Sequence, residues 1–182
     1  MDDCRFGTLL ALFTGLRIGE ICALRWGDIS LPDKALHVRF TMQRIQNING
    51  EGRTKTKVTI SPPKTDTSAR IIPLPDFLVE LCRKRFNTNT SAFILTGTEF
   101  YMEPRVLQYR FKNYANACEL DGIHFHTIRH TFATRCVEVG FEIKSLSEIL
   151  GHSSIKITLD RYVHSSMELK RENMNKLGTI DF

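Results

Sequence analysis

The chain has 182 residues, a formal net charge of +5 at pH 7 and an isoelectric point near 9.0. Its hydrophobic content of 42% and charged content of 25% are those of an ordinary globular protein. The length suits one domain, or one domain with appendages, and is enough to bury a core without staples. The modest basic excess is compatible with binding nucleic acid but does not establish it.

The five cysteines are odd in number and include no C-x-x-C pair. Four of them fall in apolar, helix-like stretches, which favours small buried side chains in a reducing cytosol over disulfides or zinc. No apolar run approaches the length of a membrane span, and the acidic start at Met1-Asp2-Asp3 does not match a signal peptide. We therefore expect a cytoplasmic protein with no membrane partner. Because the chain begins almost inside a helix, we also expect it to be a fragment of something longer.

Two helices are predicted at the start of the chain. The first has one apolar face at i, i+3, i+4 and i+7, formed by Phe6, Leu9, Leu10 and Phe13. Thr14-Gly15 interrupts it, and a second short helix opens at Arg17 and closes at Trp26-Gly27-Asp28.

Three alternating segments then predict strands, at Leu36–Met42, Lys55–Ser61 and Ala69–Leu74. Pro62-Pro63 ends the second strand, and a polar turn follows it. Together the strands predict a small antiparallel sheet of about three strands, with Lys64 at the tip of a hairpin.

The second half of the chain is predicted to be helical. Asp76 is a candidate N-cap for a helix to about Phe86, with Phe77 inward, and Pro104 opens the next helix. The following helix buries Ile128, Phe132, Cys136 and Val139, with Gly140 as its candidate C-cap. Two short helices follow, one ending at Gly151 and one carrying Tyr162, and a charged helix spans roughly Met167 to Leu177. The fold class is therefore α+β, mainly α-helical with a small antiparallel sheet.

The stretch from His124 to Tyr162 concentrates four of the six histidines. His126 and Arg129, at i and i+3, share a helix face and could point at one ligand. His126 and His130, at i and i+4, could instead hold zinc, but the residue after the first histidine is Thr127 rather than the glutamate of a zincin, and no clear third ligand is placed. Polar residues at an ordinary helix start are the remaining alternative.

Other candidate residues have structural explanations when each is taken alone. Arg17 and Glu20 could form a surface ion pair worth a few tenths of a kcal/mol. Arg17 also lies at a helix start, where backbone N–H groups favour anions, and its fork could hold a phosphate. Lys64 is either a solvated turn lysine or a mobile proton donor. A helix tyrosine such as Tyr162 is usually a core residue with a hydrogen-bonded hydroxyl.

Taken in order, these residues resemble the tyrosine recombinase (phage-type integrase) family. The family's catalytic series would be Arg17, Lys64, His126, Arg129, His152 and Tyr162. Four local strings match in the same order: TGLRIGEICALRWGDI, PPKTDTSARIIPL, HTIRHTFAT and LGHSSIKITLDRYVH. The resemblance covers essentially the whole chain, 1–182, as the family's catalytic domain.

The resemblance implies phosphoryl transfer without a metal, a cofactor or ATP. The Tyr162 hydroxyl would attack the scissile DNA phosphate, form a 3′-phosphotyrosyl link and free a 5′-hydroxyl. A 5′-hydroxyl from a partner strand would reverse the step, giving strand exchange for DNA integration or excision. A phenol with a pKa near 10 needs activation for such an attack.

The implied roles follow the charge that develops in the transition state. Arg17 and Arg129 would clamp the non-bridging oxygens, and His152 would donate a further hydrogen bond. Lys64 would protonate the leaving oxygen, and His126 would assist proton movement near Tyr162. The supporting residue Glu20 would orient Arg17 or a neighbouring histidine.

The resemblance also implies how the protein assembles. The family's N-terminal DNA-binding domain is missing from this chain, so DNA binding should be weak. The partners would be double-stranded DNA and further copies of the chain in a tetramer, with accessory DNA-bending or directionality factors. The tail helix, 165–182, would pack on a neighbouring protomer or cap its own domain. A bacterium, phage or mobile element would encode the protein, which would act on the nucleoid.

Two other functions remain open. Type IB topoisomerases share the tyrosine chemistry but relax supercoils without a partner site. A non-catalytic DNA-binding or assembly module could have kept the fold, although the intact catalytic series argues against it.

Overall fold

The computed structural model describes residues 2–47, 55–63, 65–162 and 167–175. Helix α1 spans Asp3–Thr14, and the Asp2 carboxylate caps it by accepting the backbone N–H of Cys4 and of Arg5, each at 3.0 Å. Gly15 ends the helix in the left-handed conformation, with φ +65°. The turn lets the chain enter α2 (Ile18–Ala23), so both predicted helices are present.

Within the described ranges, five strands form two separate antiparallel sheets. The first sheet has the order β1-β2-β5, from β1 (Ile29–Ser30), β2 (Ala35–Val38) and β5 (Arg70–Pro73). The second pairs β3 (Thr41–Gln46) with β4 (Thr56–Ser61). In register, Leu36 lies opposite Ile72 in the first sheet, and Met42 opposite Ile60 in the second.

The predicted grouping of the strands was therefore wrong, although the fold class is right. The segment expected to be one strand, 36–42, is divided at Arg39 and Phe40 and contributes to both sheets. Arg39 turns aside to bond the buried carboxylate of Asp28, with its Nε 2.6 Å from Oδ1. Since β4 pairs with β3 and β5 pairs with β2, residues 62–69 connect two sheets rather than forming the turn of a hairpin.

In the part of the chain that the structure describes, six α-helices follow the sheets. Their bounds are α3 (Asp76–Arg85), α4 (Pro104–Ala117), α5 (Phe125–Glu138), α6 (Ile143–Leu150), α7 (Ile155–Tyr162) and α8 (Met167–Asn175). Asp76 is the first residue of α3 rather than its N-cap, and its carboxylate bonds Lys34 instead. Residues 165–166 and 176–182 of the expected tail lie outside the described residues. None of the helices in the described ranges is long and apolar enough to cross a membrane.

Three apolar side chains predicted to face inward are exposed. Phe13 and Phe77 are 39% and 51% exposed and contact each other edge to face, with ring centroids 4.6 Å apart. Val139 is 72% exposed at the end of α5. Helical spacing identified an apolar stripe but not its width, and these residues lie at the edge of the buried face. Cys118 is also exposed, whereas the other four cysteines are buried.

The core has two parts that meet beside Gly15. The larger cluster joins α1 and α2 to both sheets and to α3 and α4, and the smaller joins α5, α6 and Tyr162. A Cβ on Gly15 would lie 2.6 Å from Phe132 Cδ1 and 2.9 Å from Leu150 Cδ2. The glycine therefore allows α1 to approach α5 and α6 closely.

We expect Gly15→Ala to lower the free energy of unfolding by about 2–4 kcal/mol. The loss sums two costs: the strain of an alanine in the left-handed backbone conformation and the steric overlap of its Cβ with Phe132 and Leu150. Urea denaturation measures the loss. Gly122→Ala is the matched control: Gly122 also has a positive φ, +75°, but nothing lies within 4 Å of its would-be Cβ. Its loss should be about 1 kcal/mol, from strain alone. Equal losses in the two variants would contradict the close approach.

Candidate active site

Arg129 joins the ends of two helices inside the fold. Its side chain is 3% exposed, and it donates from Nη1 to the Gly15 carbonyl and from Nη2 to the Leu150 carbonyl, both at 2.6 Å. These carbonyls lie at the C-terminal ends of α1 and α6, where the helix dipole favours a cation. Burial, and then the neighbouring charge of Arg17, lowers the pKa of Arg129 to about 9, so the guanidinium stays charged at pH 7.

Glu20 links Arg17 to Arg70. The carboxylate, 3% exposed, accepts Arg17 Nη1 at 2.9 Å and two Arg70 nitrogens at 3.0 Å each. It also accepts the Arg17 backbone N–H at 2.8 Å, which satisfies a backbone donor at the start of α2. Burial alone would raise the pKa of Glu20, but its bonds to Arg70 and Arg17 hold that pKa below its ordinary value.

Arg70 extends this network to α6. Its side chain is 6% exposed, and it donates to the Ile149 carbonyl at 2.5 Å and to the Ser68 carbonyl at 3.0 Å. One buried guanidinium thus connects β5, α2 and the end of α6. Sequence reasoning assigned Arg70 only to a strand. The available signal was a charged residue inside the otherwise apolar segment ARIIPL.

Arg17 and Arg129 face the same pocket. We call it the arginine pocket; it has a volume of about 310 Å³ and is lined by Leu16, Arg17, Ile18, Gly19, Thr41, Met42, Phe125, His126 and Arg129. The Arg17 side chain is 38% exposed and reaches the Gly151 carbonyl at 3.3 Å. Two guanidinium groups and one imidazole give this pocket the kind of hydrogen-bond donors that an oxyanion requires.

His152 follows Gly151, beside the same two arginines. Its Nδ1 lies 2.8 Å from the Oγ1 of Thr158, which is fully buried in α7. Burial, followed by the charges of Arg129 and Arg17, lowers the pKa of His152 to about 4, so the ring is neutral at pH 7. When Thr158 donates to Nδ1, the ring proton resides on Nε2 and can be donated to a ligand.

Tyr162 is the last described residue of α7 and points at α5. It is 9% exposed, and its hydroxyl lies 2.8 Å from Nδ1 of His130. The His130 ring meets the His126 ring edge-on, with centroids 4.6 Å apart. Burial and neighbouring cationic groups lower the pKa of both histidines.

The six expected catalytic residues are only partly described. The arginine pocket is lined by Arg17, His126 and Arg129. His152 follows Gly151, whose carbonyl accepts a hydrogen bond from Arg17, and Tyr162 contacts His130 on the helix that carries His126 and Arg129. Lys64 lies outside the described residues, so its position stays a prediction. The described residues contain no group of three or more histidine, cysteine, aspartate or glutamate side chains that could hold a metal ion. The His126–His130 pair therefore has no third ligand of these types among them.

Comparison with known proteins identifies the family to which this chain belongs. The model of the phage integrase family matches residues 3–168, and the chain belongs to that family. Two relatives agree. The chain is 32% identical to a tyrosine recombinase XerC-like protein of Caldanaerobacter subterraneus subsp. tengcongensis, over 95% of this chain and 48% of the relative. It is 31% identical to tyrosine recombinase XerC of Chlamydia caviae, over 90% and 48%. The chain thus spans about half the length of the curated relatives it matches.

Solved structures agree on the architecture. The Tn1549 transposon integrase in complex with transposon right end DNA superposes with a TM-score of 0.76 at 25% identity, over 97% of this chain and 59% of that chain. The XerA recombinase shares the fold at 21% identity, with a TM-score of 0.60, over 100% of this chain and 60% of that chain. The expected fold class and family resemblance are therefore confirmed.

Replacing Arg70 tests the buried network. Arg70→Met leaves Glu20 buried with Arg17 as its remaining partner, so we expect the free energy of unfolding at pH 7 to fall by about 3 kcal/mol in urea denaturation. The control Arg44→Met removes an exposed pair with Glu103 and should change stability little.

The loss caused by Arg70→Met should shrink as the pH falls below the ordinary glutamate value of 4.5. The lowered pKa of Glu20 stabilises the wild-type protein above that value, and this stability disappears once Glu20 is protonated. A loss that is independent of pH would contradict the assignment.

Proposed function

We propose that the chain is the catalytic domain of a site-specific DNA recombinase that cleaves and rejoins strands through a 3′-phosphotyrosyl intermediate. One observation carries the proposal: α5 supplies two residues of the arginine pocket, His126 and Arg129, and also contacts the Tyr162 hydroxyl through His130. One helix, α5, thus carries part of the proposed phosphate site and also contacts the proposed nucleophile. Membership of the phage integrase family supports the same activity.

The arginine pocket would bind the scissile phosphate. Arg129 uses two N–H donors for backbone carbonyls, and a guanidinium has five, so donors remain for a phosphate oxygen. Arg17 is partly exposed and would complete the clamp, with Glu20 holding its orientation. Neutral His152 would donate a further hydrogen bond. Preorganised donors of this kind are each worth on the order of 10²–10³ in rate.

The chemical step exchanges one phosphoester bond for another. The Tyr162 oxygen loses its proton and bonds to phosphorus, while the bond from phosphorus to the 5′-oxygen breaks. Lys64 would give that oxygen a proton, and His126 would assist proton movement near Tyr162. The reverse step, with a 5′-hydroxyl from a partner strand, restores the tyrosine and joins the strands.

Tyr162→Phe should abolish covalent attachment to DNA while leaving DNA affinity unchanged. The full-length protein is incubated with a nicked suicide substrate carrying the cognate core site, and adducts are resolved on a denaturing gel. Tyr114→Phe makes the same chemical change at a hydroxyl that bonds Asp2, away from the pocket, and should form adduct normally.

A wild-type protein that forms no adduct would overturn the proposed function and favour a non-catalytic DNA-binding module. Supercoil relaxation without strand exchange would instead indicate a type IB topoisomerase.

We propose that the working assembly is a tetramer on double-stranded DNA, held together in part by the tail helix, 165–182, of each neighbour. An apolar groove offers a docking surface for it. The groove has a volume of about 750 Å³ and is lined by Leu12, Phe13, Ile72, Pro73, Leu74, Pro75, Phe77, Thr131, Phe132, Arg135, Cys136, Val139, Phe141 and Ile149. Within α8, Met167 and Met174 are exposed and share one helix face at i and i+7.

The same proposal includes accessory DNA-bending or directionality factors and action on nucleoid DNA in the cytoplasm of a bacterial host.

Placing a charge in the apolar groove should weaken this assembly. We expect Val139→Glu to reduce the tetramer on cognate DNA to smaller species in analytical ultracentrifugation, because the tail would have to bury the carboxylate. Val106→Glu is the control, since Val106 is 43% exposed on α4 and does not line the groove. A Val139→Glu protein that forms the wild-type tetramer would show that the tail does not dock there.

A further inference from the structure

His130 is the residue that contacts the Tyr162 hydroxyl, and the family resemblance gives it no role. It follows Arg129 directly on α5, and its ring is half-buried between two aromatic neighbours. The His126 ring lies edge-on at 4.6 Å, and the Tyr162 ring is tilted at 5.7 Å, both between centroids. The contact to Tyr162 is made by Nδ1 at 2.8 Å, so the position of one particular ring nitrogen matters.

We propose that His130 is a positioning residue for strand cleavage, which holds the Tyr162 hydroxyl at the edge of the arginine pocket through Nδ1. The proposal rests on the proposed function.

The Tyr162 side chain needs a contact of this kind. Its ring packs in the smaller core cluster with Ala133, Cys136, Leu146 and Leu150, and because the phenol oxygen lies on the ring axis, this packing places the oxygen together with the ring. The apolar contacts do not set the direction of the O–H bond. The hydrogen bond to His130 sets that direction and adds a polar restraint on where the nucleophilic oxygen lies.

The direction of the hydrogen bond suits a nucleophile. Burial, followed by the charges of Arg161 and Arg129, lowers the pKa of His130, which favours a neutral ring at pH 7. A neutral ring with its proton on Nε2 presents Nδ1 as an acceptor, and the Tyr162 hydroxyl then donates to it. That arrangement directs the phenol proton toward α5 and leaves oxygen lone pairs for phosphorus.

The specific nitrogen makes the proposal testable with two matched variants. The side-chain amide of asparagine occupies roughly the place of Nδ1, whereas that of glutamine reaches roughly the place of Nε2. His130→Asn should therefore keep the contact to Tyr162, and His130→Gln should lose it. Both variants remove the imidazole, so a difference between them reports the position of the polar atom.

The measurement is the single-turnover rate of adduct formation by the full-length protein at saturating nicked substrate, together with the dissociation constant for DNA. We expect His130→Ala and His130→Gln to slow adduct formation by about 10- to 100-fold, because a misplaced nucleophile is costly, with DNA affinity unchanged. His130→Asn should recover most of the wild-type rate. If His130→Ala does not fold, the Asn and Gln pair carries the test, with urea midpoints confirming that both fold.

The outcomes separate the two proposals. No adduct from the wild-type protein overturns the proposed function itself. A wild-type protein that reacts, together with a His130→Gln variant of equal rate, overturns the role of His130 and leaves the function standing. Adduct formation could also be slowed equally in the Asn and Gln variants, in proportion to their loss of stability. That result would show that His130 has only a structural role and would overturn the positioning role as well.

Discussion

The structure depends on one interaction of a buried cation, Arg129, which is bound to the C-terminal ends of two helices. A guanidinium in the interior is costly unless its charge is met, and the Gly15 and Leu150 carbonyls meet it through two short hydrogen bonds. Each carbonyl is followed closely by a residue of the candidate site: Arg17 comes two positions after Gly15, and His152 comes two positions after Leu150. One interaction therefore brings together two segments that lie more than a hundred residues apart in the chain.

Around that cation the fold assembles more positive charge than it neutralises. Arg17, Arg70 and Arg129 lie near one buried carboxylate, that of Glu20. Burial, followed by repulsion between the arginines, lowers the pKa of Arg129, and the same surroundings keep His152 neutral. A concentration of cations that the protein leaves partly uncompensated is costly for the free protein, and the phosphate that we propose for the pocket would offset that cost. Arg70 limits the cost, because it holds Glu20 ionised and Glu20 in turn holds Arg17 toward the pocket.

The proposed nucleophile depends on a different part of the fold. Tyr162 belongs to the small cluster of α5, α6 and α7, so apolar packing places its ring and oxygen, while His130 sets the direction of its O–H bond. Because α5 also carries Arg129 and His126, a shift of this helix would move the arginine pocket and the contact to Tyr162 together. The smaller core is thus tied to the geometry of the site, and the larger core supports Arg17 and the strands.

The sequence by itself determined the helices and the fold class, and it singled out Arg17, His126 and Arg129, which line one pocket in the structure. Helical spacing and turn residues are local signals, and they located α1, α2 and α4 to α7 correctly. The matching strings pointed to the family. The position of Lys64 is untested, since that residue lies outside the described ranges.

Only the tertiary structure decided the contacts between distant segments. Alternation located the strands but not their partners, so the division of 36–42 between two sheets was missed. Spacing gave Phe13 and Phe77 an apolar face without showing that neighbouring elements leave them exposed. The links from Arg70 to Glu20 and from His130 to Tyr162 span 50 and 32 residues. Periodicity carries no information at that range, because which polar groups become partners depends on which surfaces the whole chain buries together.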